Sequence, residues 1–168
     1  TTIYFGLPGG WKSGMLLSSV LEAPKLNTFV TKDPTKTPTI LYITQENDTK
    51  ETLLRVWSHY FGNKYEPQNK TIEQLMEGLV NTPFGDGVVN FEIKYRKSRQ
   101  INTQDIETII DNLEREGKEV VFLAHDYLKR IKSTEPADSQ FMELGFIVDE
   151  FSTMAKDRDI PILLASQM

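Results

Sequence analysis

Gly6-Leu7-Pro8-Gly9-Gly10-Trp11-Lys12-Ser13 stands between an apolar run, Ile3-Tyr4-Phe5, and a stretch in which Met15, Leu16, Leu17, Val20 and Leu21 share one helical face. A strand, a glycine-rich turn and a helix in that order form the setting of a phosphate-binding loop. Such a loop has Gly, four variable residues, then Gly-Lys-Ser/Thr. Its backbone N–H groups ring the phosphates, the lysine meets the terminal ones, and the hydroxyl ligates magnesium. Gly6, Lys12 and Ser13 are in register with that pattern, Gly9 and Gly10 lie inside the loop, and Gly14 follows it. Trp11 stands where the last glycine belongs, at a position where the backbone often needs glycine freedom. The plainer alternative is a glycine-rich turn with Lys12 solvated and Trp11 packed in the core. A Trp11 ring turned away leaves the main-chain cradle usable, whereas a ring turned inward blocks it.

Apolar runs of strand length recur at residues 2–6, 39–44, 88–94, 119–124 and 161–166, alternating with longer helical patterns. That alternation predicts an α/β domain, a mainly parallel sheet with helices on both faces. The best-marked helix runs from Asn102 to Gly117, with Ile106, Ile109, Ile110 and Leu113 on one face, Asn102 as N-cap and Gly117 at the C-cap. Two others are predicted, one carrying Leu53, Leu54, Trp57 and Phe61 and one from about Ser139 to Asp157. The stretches from Lys25 to Pro38 and from Lys64 to Lys70 read as exposed loops. No internal repeat is present.

The chain has 168 residues, 39% of them hydrophobic and 26% charged, which suits one globular domain with a substantial core. The formal net charge of −5 argues against a uniformly basic nucleic-acid surface, although a local groove remains compatible with it. The absence of cysteine excludes a disulfide framework and a thiolate metal site, which suits a cytoplasmic protein. There is neither a signal peptide nor an apolar run of membrane-spanning length.

In an open parallel sheet, ligands collect beyond the carboxyl ends of the strands. The residues expected there are the glycine-rich loop, then Gln45-Glu46-Asn47, then His125-Asp126-Tyr127, then Gln167. An acidic residue after a buried strand can hold magnesium or its water, which makes Asp126 the candidate; capping of the next turn is its alternative. Glu46 can orient or deprotonate an attacking water if its strand neighbours the loop-bearing strand or the Asp126 strand; otherwise it is a solvated first-turn glutamate. Gln167 is either a sensor of the terminal phosphate or simply the first polar residue past a strand. His125 and His59 form no metal pair. The basic groups Lys94–Arg99 and Lys129, Arg130 and Lys132 are candidates for phosphate-backbone contact, or merely solvated cations.

The order of these blocks resembles the RecA-like motor domain of hexameric replicative DNA helicases of the DnaB family, in a phage-type variant. The four blocks are Gly6 to Ser13, Tyr42-Ile43-Thr44-Gln45-Glu46, His125-Asp126-Tyr127-Leu128, and the run from Ala155 through Ile160-Pro161-Ile162 to Ser166-Gln167. The resemblance implies a RecA-like ATPase core over residues 1–168, belonging to a longer chain that forms a homo-hexamer. It implies ATP hydrolysis driving movement along single-stranded DNA, with ATP and Mg2+ as cofactors. Lys12 would contact the phosphates, Ser13 and Asp126 the magnesium, Glu46 would act as base and Gln167 as coupling residue. The family pattern departs at Trp11 and at His125, where an aliphatic residue is usual. A DNA-binding loop and a basic finger reaching the neighbouring subunit would lie past Met168, so the isolated chain is expected to turn over slowly. A recombinase-like or clock-type ATPase and a non-catalytic nucleotide-binding scaffold are the alternatives.

Overall fold

The structure, a computed structural model, describes residues 1–6, 11–62, 66–79, 82 and 89–167. Five strands, β1 (Thr2–Gly6), β2 (Thr37–Thr44), β3 (Asn90–Tyr95), β4 (Lys118–Asp126) and β5 (Ile162–Gln167), form one sheet in the order β1-β5-β4-β2-β3. All four pairings are parallel. Helices α1 (Lys12–Leu26), α2 (Thr49–Phe61), α3 (Ile72–Gly78), α4 (Thr103–Arg115) and α5 (Gln140–Arg158) cover it. This is the doubly covered RecA-like arrangement that the alternating pattern predicts.

The period-two alternation of a strand divides the core into two layers. Ile40 and Tyr42 of β2, Ala124 of β4 and Leu163 and Ala165 of β5 face α1, α2 and α3, against Leu16, Val20, Leu53, Trp57 and Leu75. The intervening residues Leu41, Ile43, Leu123, Ile162 and Leu164 face α4 and α5, against Ile106, Ile110, Ile147 and Phe151. Burial on both faces explains why these strands are continuous apolar runs.

Helix starts follow their local chemistry. Asn102 accepts from the Asp105 amide at 2.9 Å, and the Asp105 side chain returns the bond, a reciprocal capping box. Gly117 then adopts φ +80°, as expected of a glycine just past a helix end. Asp48 and Glu51 form the same box at α2, and Ser139 caps α5.

Three boundaries differ from the sequence expectation. Helix α1 runs through Pro24 to Leu26, so the predicted loop from Lys25 is shorter at both ends. Pro24 sits in the last turn, where a missing N–H costs little of the ladder. Pro38 belongs to β2, at a point that β4 reaches but β3, which pairs from Thr39, does not. β4 carries on through His125 and Asp126, which therefore end a strand instead of following it. The predicted loop from Lys64 to Lys70 contains a single 3-10 turn, Pro67–Asn69, and α3 was not foreseen.

Candidate functional site

Gly6 ends β1 and Lys12 opens α1, while Gly9 and Gly10 lie outside the described residues. The first amides of α1 belong to Lys12, Ser13 and Gly14, and a helix leaves such amides without intrahelical acceptors. The first intrahelical bond runs from the Met15 amide to the Trp11 carbonyl at 2.8 Å. No acidic residue stands in this first turn, so amides and helix dipole together favour an anion.

Trp11 occupies the N-cap with φ 59° and ψ 14°, the left-handed conformation that glycine would take without strain. Its ring is 82% exposed, so it does not pack in the core. The ring lies over Gly14, where an added Cβ would sit 3.7 Å from the Trp11 Cε3. It forms one wall of a groove of about 290 Å³ between α1 and α2, opposite Leu54, Arg55 and His59. A larger cavity, about 630 Å³, lies near the far end of α1 among Leu26, Phe29, Phe122 and Pro161 and contains none of the motif residues.

A left-handed non-glycine residue costs roughly 1–2 kcal/mol, while glycine loses back about 0.5–1 kcal/mol through its freer unfolded chain. Trp11→Gly is therefore expected to leave stability unchanged or raise it by up to about 1 kcal/mol in urea unfolding followed by circular dichroism. A loss above about 1 kcal/mol would show that the ring carries packing the exposure conceals.

Asp126 is fully buried at the carboxyl end of β4, paired with Thr44 at the end of β2. Burial holds its carboxyl above the usual carboxylate range, and the nearby Glu46 charge pushes the same way. Hydroxyls of Ser13 and Tyr42 and the charge of Arg55 act in the opposite sense. Tyr42 donates to Oδ2 at 3.4 Å, whereas Oδ1 is buried with no hydrogen-bond partner. An orphaned carboxylate oxygen beside a serine hydroxyl fits a divalent cation, which would supply the missing positive partner. No group of three or more acidic or imidazole side chains gathers elsewhere among the described residues. Magnesium typically takes one or two carboxylates and completes its shell with phosphates and water.

Glu46 lies two residues beyond the end of β2, exposed at the mouth of this site. The condition on its strand is met, since β2 adjoins β4. Thr44 Oγ1 accepts from the Glu46 and Asn47 amides at 3.3 and 3.1 Å, making a tight turn that starts α2. Gln167 pairs by its backbone with Gly6, which sets the end of β5 beside the start of the loop. The fold thus collects Ser13, Glu46 and Asp126 at one place and brings the Gln167 backbone next to Gly6.

Tyr42, Gln45 and Arg55 also reach this place without a motif to announce them. Burial drives the Tyr42 phenol well above its usual range, and the Asp126 charge adds to that. Arg55 donates to Asn47 Oδ1 at 3.0 Å. In contrast, most of the basic groups are engaged within the chain. Lys94 pairs with Glu92 at 3.2 Å, Arg99 with Glu143 at 2.8 Å, Arg96 donates to the Tyr95 carbonyl, and Arg130 donates to the Gln45 carbonyl.

Among the described residues no helix is long and apolar enough to cross a membrane. No curated protein matches the sequence. Two solved structures resemble the fold: a DnaB-like replicative helicase studied with its primase interactions, and the ATPase domain of a second protein. The first has a TM-score of 0.63 at 14% identity, covering 99% of this chain and 38% of its own. The second has a TM-score of 0.61 at 16% identity, covering 99% and 56%. At such identities the likeness speaks for the fold, and this chain spans between about a third and somewhat over half of those chains. A family model described as a divergent DnaB-like ATPase matches residues 1–140, taking in the loop, the Glu46 turn and the Asp126 strand. The chain belongs to the divergent DnaB-like ATPase family.

Proposed function

We propose that this domain binds MgATP at the β1–α1 loop and hydrolyses it as the motor core of a replicative DNA helicase, within a longer chain that assembles into a ring on single-stranded DNA. The observation that carries the proposal is the gathering of Ser13, Asp126 and Glu46 beside the unsatisfied amides opening α1. Lys12 and the first amides of α1 would hold the phosphates. Ser13 and Asp126 would hold Mg2+, which supplies charge neutralisation across the phosphates when bound. Glu46, exposed to solvent, would take a proton from the attacking water, and Gln167 at the end of β5 would link the state of the terminal phosphate to neighbouring segments.

Phosphoryl transfer is mostly positioning and charge stabilisation, and an arginine supplied by a neighbour is worth roughly three to five orders of magnitude. The domain alone should therefore bind well and turn over slowly. Trp11 in the glycine position favours a second reading, a nucleotide-binding scaffold without turnover.

Binding is separable from turnover by calorimetric titration of MgATP into the chain and into Lys12→Ala. Saturable binding that Lys12→Ala loses by tenfold or more supports the proposed site. Equal affinity in both proteins, or none in either, overturns it. Saturable binding with no phosphate release even in the assembled full-length protein would favour the scaffold.

A further inference from the structure

Gln45 is 1% exposed at the point where β2 leaves the sheet, one residue before Glu46. A glutamine is seldom buried unless its amide is used. Here Nε2 donates twice, to the Lys97 carbonyl at 3.1 Å and to the Arg130 carbonyl at 2.9 Å. Its backbone amide donates to the Asp126 carbonyl at 2.8 Å, and its own carbonyl accepts from Arg130 Nη1 at 3.0 Å. Arg130 is itself held over the Tyr127 ring at 5.1 Å, and the Arg99 amide donates to the Arg130 carbonyl.

Both backbone groups of Gln45 and both amide hydrogens of its side chain are therefore fixed to three other segments. Those segments are the end of β4, the turn Leu128–Arg130 that follows it, and the connection between β3 and α4. The residue next along the chain is Glu46, whose own side chain is exposed and is not itself packed in place. What fixes Glu46 relative to Asp126 is thus the backbone before it. We propose that Gln45, locked by Arg130, is a positioning residue that sets where the Glu46 carboxylate stands over the Asp126 site.

The inference rests, for its catalytic consequence, on the proposed ATP hydrolysis. The brace shares no element with β1 and α1, which carry the phosphate loop. Its loss should accordingly leave nucleotide affinity alone while displacing Glu46, and a displacement near 1 Å can cost about a hundredfold in rate. Gln45→Met keeps an unbranched side chain of similar length and removes both donors. Arg130→Met removes the bond to the Gln45 carbonyl from a half-buried side chain, and keeps the test open if Gln45→Met does not fold.

The experiment measures three quantities on the unaltered chain and each variant, all held well below the unfolding midpoint. They are amide hydrogen exchange at Glu46 and Asn47, the Kd for MgATP, and kcat for phosphate release. The expected result is faster exchange at those two amides by about tenfold, Kd within twofold, and kcat lower by tenfold or more. Unchanged exchange overturns the brace, whatever the chain does with ATP. Faster exchange with unchanged kcat overturns the catalytic role of the brace. A fall in affinity parallel to that in kcat overturns it too, since a general loosening would do the same. If the unaltered full-length protein releases no phosphate, the hydrolysis proposal itself fails and the catalytic role falls with it. The exchange result still decides whether Gln45 holds the Glu46 turn.

Discussion

Glu46→Gln is expected to lower ATP turnover by about 10²–10⁴-fold, the usual worth of a positioned general base, while MgATP binding is retained. The replacement is nearly isosteric, and its side chain is exposed beyond the end of β2, so the sheet and both core layers are untouched. The capping box of α2 uses Asp48 and Glu51, so the helix start is also preserved. Binding should hold, or tighten slightly, for an electrostatic reason. The Glu46 charge is one of the causes that raise the Asp126 carboxyl, so removing it favours the ionised Asp126 that a magnesium ion needs. The measurement pairs calorimetric affinity with single-turnover phosphate release. A variant that keeps its turnover would remove Glu46 from the chemistry and leave Asp126 as the only carboxylate at the site to consider. One that loses affinity along with turnover would mean that Glu46 helps to hold the nucleotide.

What the sequence disclosed and what it hid have separate physical causes. Strands buried on both faces are written as unbroken apolar runs, so 39–44 and 119–124 were legible before any pairing was known. The same rule concealed the end of β4. His125 and Asp126 are polar, so the apolar signal stops while the strand continues to Asp126. Helix α3 has seven residues, too few for a helical period to show, and only the Thr71 and Gln74 capping pair marks it. Ser13, Glu46 and Asp126 could be proposed together because each sits at the carboxyl end of a strand or just beyond one. Tyr42 could not, since it reads as one more core aromatic. Its place at the site depends on β2 adjoining β4, which sets Tyr42, Thr44 and Asp126 on one face of the sheet. Gln45 was passed over for the opposite reason: a polar residue after a strand looks solvated, and its burial depends on the segments carrying Lys97 and Arg130.

His125→Ile is expected to stabilise the fold at neutral pH by about 1–3 kcal/mol, the usual cost of a buried polar group left unbonded. His125 has no exposed surface, lies between Ile43 and Leu164 across the sheet, and packs on the Phe151 ring at 5.7 Å. Neither ring nitrogen has a hydrogen-bond partner. Burial pushes the imidazole down to about 3 from an ordinary 6.5, so the folded chain keeps it neutral through the whole range in which the unfolded chain protonates. The stability linked to this neutral form is fully present above pH 6.5 and is lost as the pH falls toward 3, at about 1.4 kcal/mol per unit. Near pH 4.5 the loss amounts to roughly 3 kcal/mol. Asp126, on the opposite face of β4, works the other way: its raised carboxyl contributes stability below 3.8 that is lost as the pH rises through its folded value. Because Asp126 is present in both proteins, the difference between the unaltered chain and His125→Ile isolates the imidazole. That difference should widen steadily from about pH 7 to about pH 4.5 in urea unfolding. If it stays constant over that interval, His125 carries a proton in the folded state and must have a partner that its apolar surroundings do not offer.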